Sequence, residues 1–379
     1  MNILLIRTTS GVSGSETHNI TLFRALQKRK NISVHVLTNH YPFLRRLKKN
    51  HIPASHIFFP IKEVGTNKEL VLSALWFIPM LLLDIFKIKQ IEKSKRFDTI
   101  LLESMTEKLF LSPYLKILGY RVIWIEQGSL FNTTRSPIVK KLYTYKSKWP
   151  DAILAVSHDT KKDLVKGGVS EKKVHVVHIG VEKSFFHSRS ASWRTGNGSK
   201  RKQNRWTIGF LGNVSKEKGI IEFLDVAYAL LENNAYALFC VIGDGPLLEW
   251  ARRYAKKLKI QKNIVFTGYV EDVRKYLTQI DILFFPTHHH EGLSLALLEA
   301  MAMGKIVVAR DIGGNRELII DKKTGFLFKG NAIEGSKILE KIITGKIKVN
   351  GITKAAKEHI TNNFSIEKQI HRFIDIFHG

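Results

Sequence analysis

Short apolar runs alternate with helical patterns along most of this 379-residue chain, and that alternation restricts its fold more than any other feature. "NILLI" (2–6), "SVHVLT" (33–38), "DTILLE" (98–103), "RVIWIE" (121–126), "AILAVS" (152–157) and "VHVVHIG" (174–180) are nearly continuous apolar runs. A strand with one face in water would alternate polar and apolar residues, so runs like these belong to strands covered on both faces. Helical spacing between them, notably at 15–29 and 159–167, predicts a parallel sheet wrapped by helices. The pattern lapses over "HSRSASWRTGNGSKRKQNR" (187–205), a basic Gly/Ser stretch that reads as a linker or long loop. It resumes with "WTIGFLG" (206–212), "YALFCVIG" (236–243), "NIVFTG" (263–268), "DILFFP" (281–286), "KIVVAR" (305–310) and "GFLF" (325–328). The expectation is an α/β protein of two doubly wound, Rossmann-like domains, 1–186 and 206–361. A last helix at 362–379 could pack back on the first domain. Ligands of such sheets bind beyond the carboxyl ends of the strands, here expected to face each other across a cleft.

Charge and cysteine content narrow the setting. Sixty Lys+Arg against 33 Asp+Glu give a net charge of +27. Nucleic acid, an anionic membrane surface or a phosphorylated substrate could each account for that balance. The chain has no helix-turn-helix, zinc-finger or aromatic RNA-binding signature, so nucleic acid is set aside. Cys240 is the one cysteine, which rules out an intrachain disulfide and fits a reducing interior. "ILLI" is too short for the apolar region of a signal peptide, so the expected location is cytoplasmic. The most apolar segment, "LVLSALWFIPMLLLDIF" (70–86), contains Pro79 and runs into lysines. It is shorter than the ~20 residues a membrane span needs. Two readings stay open: a buried or partly exposed helix, or an interfacial anchor on the inner face of the cell membrane.

The chemistry concentrates at strand ends in the second half. In "EGLSLALLEAMAMG" (291–304), Glu291 and Glu299 stand eight residues apart. On one regular helix they would point roughly 80° apart and form no carboxylate pair. The spacing makes sense with Glu291 in a loop and Glu299 in the second turn of a helix. Between them the first amides of that helix would be open to a pyrophosphate. Lys218, in "GFLGNVSKEKG" (209–219), would add a point charge, and the two glutamates could accept hydrogen bonds from polyols. Contiguous His288, His289 and His290 alternate direction and are a poor metal site. Ser157, His158 and Asp159 are adjacent and cannot converge as a triad.

These motifs resemble the retaining glycosyltransferases of family 4, which have the two-domain GT-B fold. Their E-G-x-x-L-x-x-x-E-A-x-A-x-G signature is matched throughout 291–304. The resemblance extends to "GDGP" (243–246), "VFTGYV" (265–270), "DILFFP" and "GKIVVARDIGGNRELI" (304–319). In the first half it is carried by "GVSGSETH" (11–18) and the segment 155–182. It implies a metal-independent transfer from a nucleotide-sugar donor, a UDP-sugar before a GDP-sugar, with no separate cofactor. The acceptor would be a saccharide or a lipid-linked saccharide, bound on the side of the first domain. Glu299 would hold the nucleotide ribose and Glu291 the donor sugar. Gly292, Leu293 and Ser294 would approach the diphosphate through their backbone, Lys218 would neutralise it, and Gly14 would approach it from the first domain. Gly243 and Asn213 complete the donor set. Asn213 replaces an arginine usual in the family, which would leave the charge to Lys218 with Lys216 to assist. Gln127, in "IEQGS" (125–129), replaces a histidine and can donate a hydrogen bond but not act as acid or base. A nucleotide-sugar epimerase or hydrolase, or a scaffold subunit without turnover, remains an alternative.

Overall fold

A computed structural model of the chain describes residues 1–8, 14–57, 64, 66–92, 96–134, 136–186, 205–233 and 235–378. The chain forms two compact units, Met1–Gly180 with Ile366–Gly379, and Val181–Ser365. Residues 187–204 of the expected linker, with "SKRK" (199–202), and residues 9–13 of the first glycine-rich loop lie outside the described residues.

Unit 1 holds a sheet of seven parallel strands: β1 (Asn2–Arg7), β2 (Ser33–Thr38), β3 (Ala54–His56), β4 (Thr99–Leu102), β5 (Arg121–Glu126), β6 (Ala152–Ala155) and β7 (Val174–Val176). They lie in the order β3-β2-β1-β4-β5-β6-β7. Side chains alternate across a strand, so β1 feeds two cores: Leu4 and Ile6 join one, Ile3 and Leu5 the other. The second core is completed by the helix Ile366–His378, whose Ile366, Ile370, Phe373 and Phe377 pack among Ile3, Leu5 and Ile123. Polar contacts fix it: Gln369 Oε1 accepts from Gly180 N–H at 2.8 Å, and its Nε2 lies 2.7 Å from His18 Nε2. Burial holds His18 neutral, its pKa lowered to about 4.

Two features of unit 1 escape a reading of apolar runs. Strand β3, three half-buried residues at the sheet edge, is too short and polar to stand out. The apolar stretch at 70–86 is two helices, Asn67–Leu75 and Phe77–Ile91, separated at Trp76. The first begins with a capping box, Thr66 accepting from Glu69 N–H and Glu69 accepting from Thr66 N–H. Among the described residues no helix is long and apolar enough to cross a membrane.

Unit 2 repeats the plan with β8 (Trp206–Leu211), β9 (Ala237–Ile242), β10 (Ile264–Phe266), β11 (Ile282–Phe285), β12 (Ile306–Arg310) and β13 (Phe326–Phe328), in the order β10-β9-β8-β11-β12-β13. Its core is aromatic, with Phe210, Phe223, Phe239, Phe284 and Phe328 buried together. Cys240 sits in β9, where burial pushes its thiol up to about 12 and keeps it unreactive. Strand order reverses between β8 and β11, and a doubly wound sheet opens a crevice at such a reversal. The loops that leave these two strands carry Lys218 and Glu291.

Candidate active site

The loop 212–219 leaves β8 and runs beside the loop 286–294 that leaves β11. Glu217 O ties them together, accepting from His288 N–H at 2.8 Å and from the buried Thr287 hydroxyl at 3.2 Å. This brings Lys218 Nζ to 2.5 Å from Glu291 Oε1, with the two side chains 24% and 14% exposed. The family resemblance implies separate duties for these residues toward a ligand; here they meet each other. A partly shielded charge-assisted contact of this kind fixes both side chains and leaves the ammonium two further donors.

Behind Glu291 the chain enters the helix Leu295–Ala302. Ser294 stands at its N-cap but makes no side-chain capping bond, and its buried hydroxyl has no partner among the described residues. Helical bonding starts with Leu298 N–H donating to Ser294 O at 3.1 Å. The amides of Leu295, Ala296 and Leu297 therefore have no acceptor within the helix. Leu293 and Ser294 are buried, and so is Glu299 in the second turn. Glu291 in the loop and Glu299 in the helix is the arrangement that their spacing predicts.

Glu299 is 7% exposed. Burial pushes its carboxyl up to about 8, the charge of Asp272 adds to this, and the Arg274 guanidinium opposes it. Asp272 and Arg274 follow β10 and hold each other, Arg274 donating through Nε at 2.8 Å and through a terminal nitrogen at 2.7 Å. Neither residue was singled out in the sequence; their only signal was a position beyond the carboxyl end of a strand. Asn315 lies within the matched run 304–319, where it carried no assigned role. It is 1% exposed, its Nδ2 donates to Arg310 O at 3.0 Å, and its Oδ1 has no partner among the described residues.

Glycines set how closely the loops approach. A Cβ on Gly314 would lie 1.7 Å from Gly292 O, so the segment after β12 reaches the Glu291 loop only because that side chain is missing. Gly314 N–H donates to Glu291 O at 3.0 Å across this contact. Gly243 has φ +139°, and a Cβ there would meet Gly212 O at 2.0 Å, which gives it a packing role between the loops after β8 and β9. Asn213 is exposed on that loop pair, as is Lys216. His288 turns away to Glu222, with its Nε2 2.5 Å from Glu222 Oε1.

Gly14 and Gln127 belong to unit 1. Gly14 is exposed at the start of the helix Gly14–Gln27, and a Cβ there would touch nothing within 4 Å. Gln127 follows β5, and its buried Nε2 has no partner among the described residues. The preceding Glu126 is satisfied by Lys108 Nζ at 2.6 Å and by the Tyr143 hydroxyl at 2.7 Å. Its neighbour Gln127 keeps an unused donor just beyond the carboxyl end of β5, the side of such sheets on which ligands generally bind.

Known proteins share both the sequence and the fold. A family profile described as Glycosyltransferase Family 4 matches residues 12–185, and one described as Glycosyl transferases group 1 matches 193–359. The chain is 23% identical over 325 residues to the UDP-Gal:alpha-D-GlcNAc-diphosphoundecaprenol alpha-1,3-galactosyltransferase of Escherichia coli, covering 80% of this chain and 83% of that enzyme. It is 26% identical over 390 residues to an uncharacterised glycosyltransferase of Methanocaldococcus jannaschii, covering 97% and 95%. Among solved structures, Anabaena HepE in complex with UDP and glucose superposes with a TM-score of 0.80 at 16% identity, covering 100% of this chain and 99% of that one. The two parallel sheets have the GT-B architecture, and the chain belongs to the family 4 glycosyltransferases.

Proposed function

We propose that the protein transfers a sugar from a UDP-sugar to a lipid-linked saccharide, with retention of configuration and without a metal, during synthesis of a cell-surface polysaccharide. The observation that carries the reading is the Lys218–Glu291 pair at the mouth of an uncapped helix, with Glu299 buried one turn deeper. The free amides of Leu295 to Leu297 and the Lys218 ammonium are suited to a diphosphate, and a cationic field of that kind does the work a divalent ion does elsewhere. Glu299 accepts from the ribose hydroxyls, and Glu291, oriented by Lys218, accepts from the sugar. As the sugar–phosphate bond breaks, negative charge grows on the leaving diphosphate, where these donors already stand. The acceptor hydroxyl attacks from the same face and passes its proton to the departing phosphate oxygen, since Gln127 can donate a hydrogen bond but cannot act as a base. Gly14 leaves room at the first loop of unit 1, and Asn213 and Gly243 shape the loops around the diphosphate.

Two similar proteins support the choice of partners. The E. coli relative is named for UDP-Gal and a diphosphoundecaprenol acceptor, and HepE was crystallised with UDP and with UDP-glucose. The acceptor class in turn fits a peripheral enzyme on the inner face of the cell membrane. Calorimetry against UDP, GDP, ADP and TDP tests the donor, with UDP expected to bind best. The anomeric configuration of the product, read by NMR, tests retention, and EDTA should leave both binding and transfer unchanged. An inverted product or a requirement for Mg²⁺ or Mn²⁺ would overturn the mechanism. Intact UDP binding with no turnover on any lipid-linked acceptor would favour the scaffold reading, to which Asn213 and Gln127 already lean.

A further inference from the structure

Two consecutive helices of unit 1 are built inside out for water. On Phe77–Ile91 the inward side includes Asp84, 1% exposed and with neither carboxylate oxygen hydrogen-bonded to a described residue, beside buried Leu81 and Ile88. Its outward side includes Ile78, Leu82 and Phe86, each between 63% and 67% exposed. On Asn67–Leu75 the pattern repeats: Ser73 is fully buried, while Val71 and Leu75 are 58% and 73% exposed. Trp76, between the helices, is 52% exposed. A helix on an aqueous surface does the reverse. Single exposed apolar residues are ordinary, but eight large ones within positions 71–86, Leu72 and Leu83 included, form the kind of patch that marks a binding surface.

The charges beside this patch choose its partner. Lys68 opens the first helix, and Lys87 and Lys89 close the second. The neighbouring helix Pro137–Lys146 packs against Asn67–Leu75 and adds exposed Lys141. The acids on and beside the two helices are already engaged or buried: Glu69 is held in the capping box, Asp84 is buried, and Glu92, at the end of the second helix, pairs with Lys89 at 3.2 Å. A surface that is apolar, rimmed with ammonium groups and poor in unpaired carboxylates complements anionic phospholipid: side chains enter the acyl boundary and lysines meet the phosphates. The second helix spans about 22 Å at 1.5 Å per residue, too short to cross a bilayer but long enough to lie in its surface.

We infer that the outer faces of Asn67–Leu75 and Phe77–Ile91 dock the protein on an anionic phospholipid surface. The inference rests on the proposed work at a membrane, which it deepens by naming the surface and the lipid chemistry. The test is co-sedimentation of the full chain with phosphatidylcholine vesicles, with and without phosphatidylglycerol, over a range of salt. Binding should need the anionic lipid and weaken as salt rises. The triple substitution Ile78→Ser, Leu82→Ser and Phe86→Ser should lower partitioning at least about tenfold and leave the melting temperature and UDP affinity unchanged. Should that variant fail to fold, Lys68→Gln with Lys141→Gln should still reduce the salt-sensitive part of binding. Wild-type protein that stays in the supernatant at low salt would overturn the inference. So would a triple variant that is folded and binds as well as wild type. A dimer that the triple substitution breaks, with no vesicle binding, would assign the patch to a second copy of the chain instead. Vesicle binding without UDP binding would strike the transferase reading and leave this surface standing.

Discussion

Glu291 and Glu299 share a motif but not an environment, and they should fail differently. In the proposed site Glu299 holds the ribose in ground and transition states alike, so Glu299→Gln should weaken UDP binding roughly tenfold to a hundredfold, the worth of a hydrogen bond to a charged group. Its carboxyl, raised to about 8 by burial, would have to give up a proton to accept two hydroxyls there. UDP affinity should therefore rise with pH toward 8 in the wild type, and the part due to Glu299 should vanish in the glutamine variant. Calorimetry of both proteins from pH 6 to 9 reads this; superimposable pH profiles would remove Glu299 from the ribose. Glu291→Gln should instead spare UDP affinity and depress turnover at saturating donor, as expected for a contact that strengthens as the sugar moves. The motif made both carboxylates legible. The 2.5 Å contact with Lys218 was not, because 73 residues of chain separate the partners and only the tertiary fold brings them together.

At the scale of elements, sequence was most readable where burial was most complete. Runs such as "NILLI" and "RVIWIE" became β1 and β5, in which every residue but Arg121 is buried. What stayed hidden was short, as with β3, or locally inverted, as with Phe77–Ile91, whose acid faces inward against the usual rule. That inversion has a thermodynamic signature. Burial, aided by the nearby Glu107, pushes Asp84 up to about 8 from an ordinary value of 3.8. Between those values the folded protein holds a proton that the unfolded chain has released, so stability falls as pH rises from about 4 toward 8 and then levels off. Asp84→Asn should remove this slope and raise the melting temperature near pH 8; an unchanged slope would mean that Asp84 is ionised in the fold. Loop contacts are equally strict. Gly314→Ala places a methyl 1.7 Å from Gly292 O, which should cost about 1–3 kcal/mol of stability. It should also weaken UDP binding by displacing the Glu291 loop, and paired melting and calorimetry measurements would reveal both effects.

For the whole molecule, the doubled βα pattern told how many sheets to expect, and it set the last helix apart as a segment that could return to the first domain. Unit 1 is discontinuous: the chain leaves it after Gly180, completes unit 2 and returns at Ile366. The departing and returning segments run side by side, Val181 bridging Ser365 and its N–H donating to Phe364 O at 2.8 Å. Ending the chain at Ser365 should strip Ile366, Ile370, Phe373 and Phe377 from the core of unit 1 while sparing unit 2. Urea melts should then show an early transition for buried Trp124 of unit 1, and a single unshifted transition would contradict that dependence. During synthesis, the same connectivity reverses the usual order of assembly. Unit 2 is one unbroken segment and can close its core as it leaves the ribosome. Unit 1, although made first, must wait with part of its apolar face uncovered until a helix translated after all of unit 2 arrives, and for that interval the nascent chain is exposed to chaperones and to aggregation.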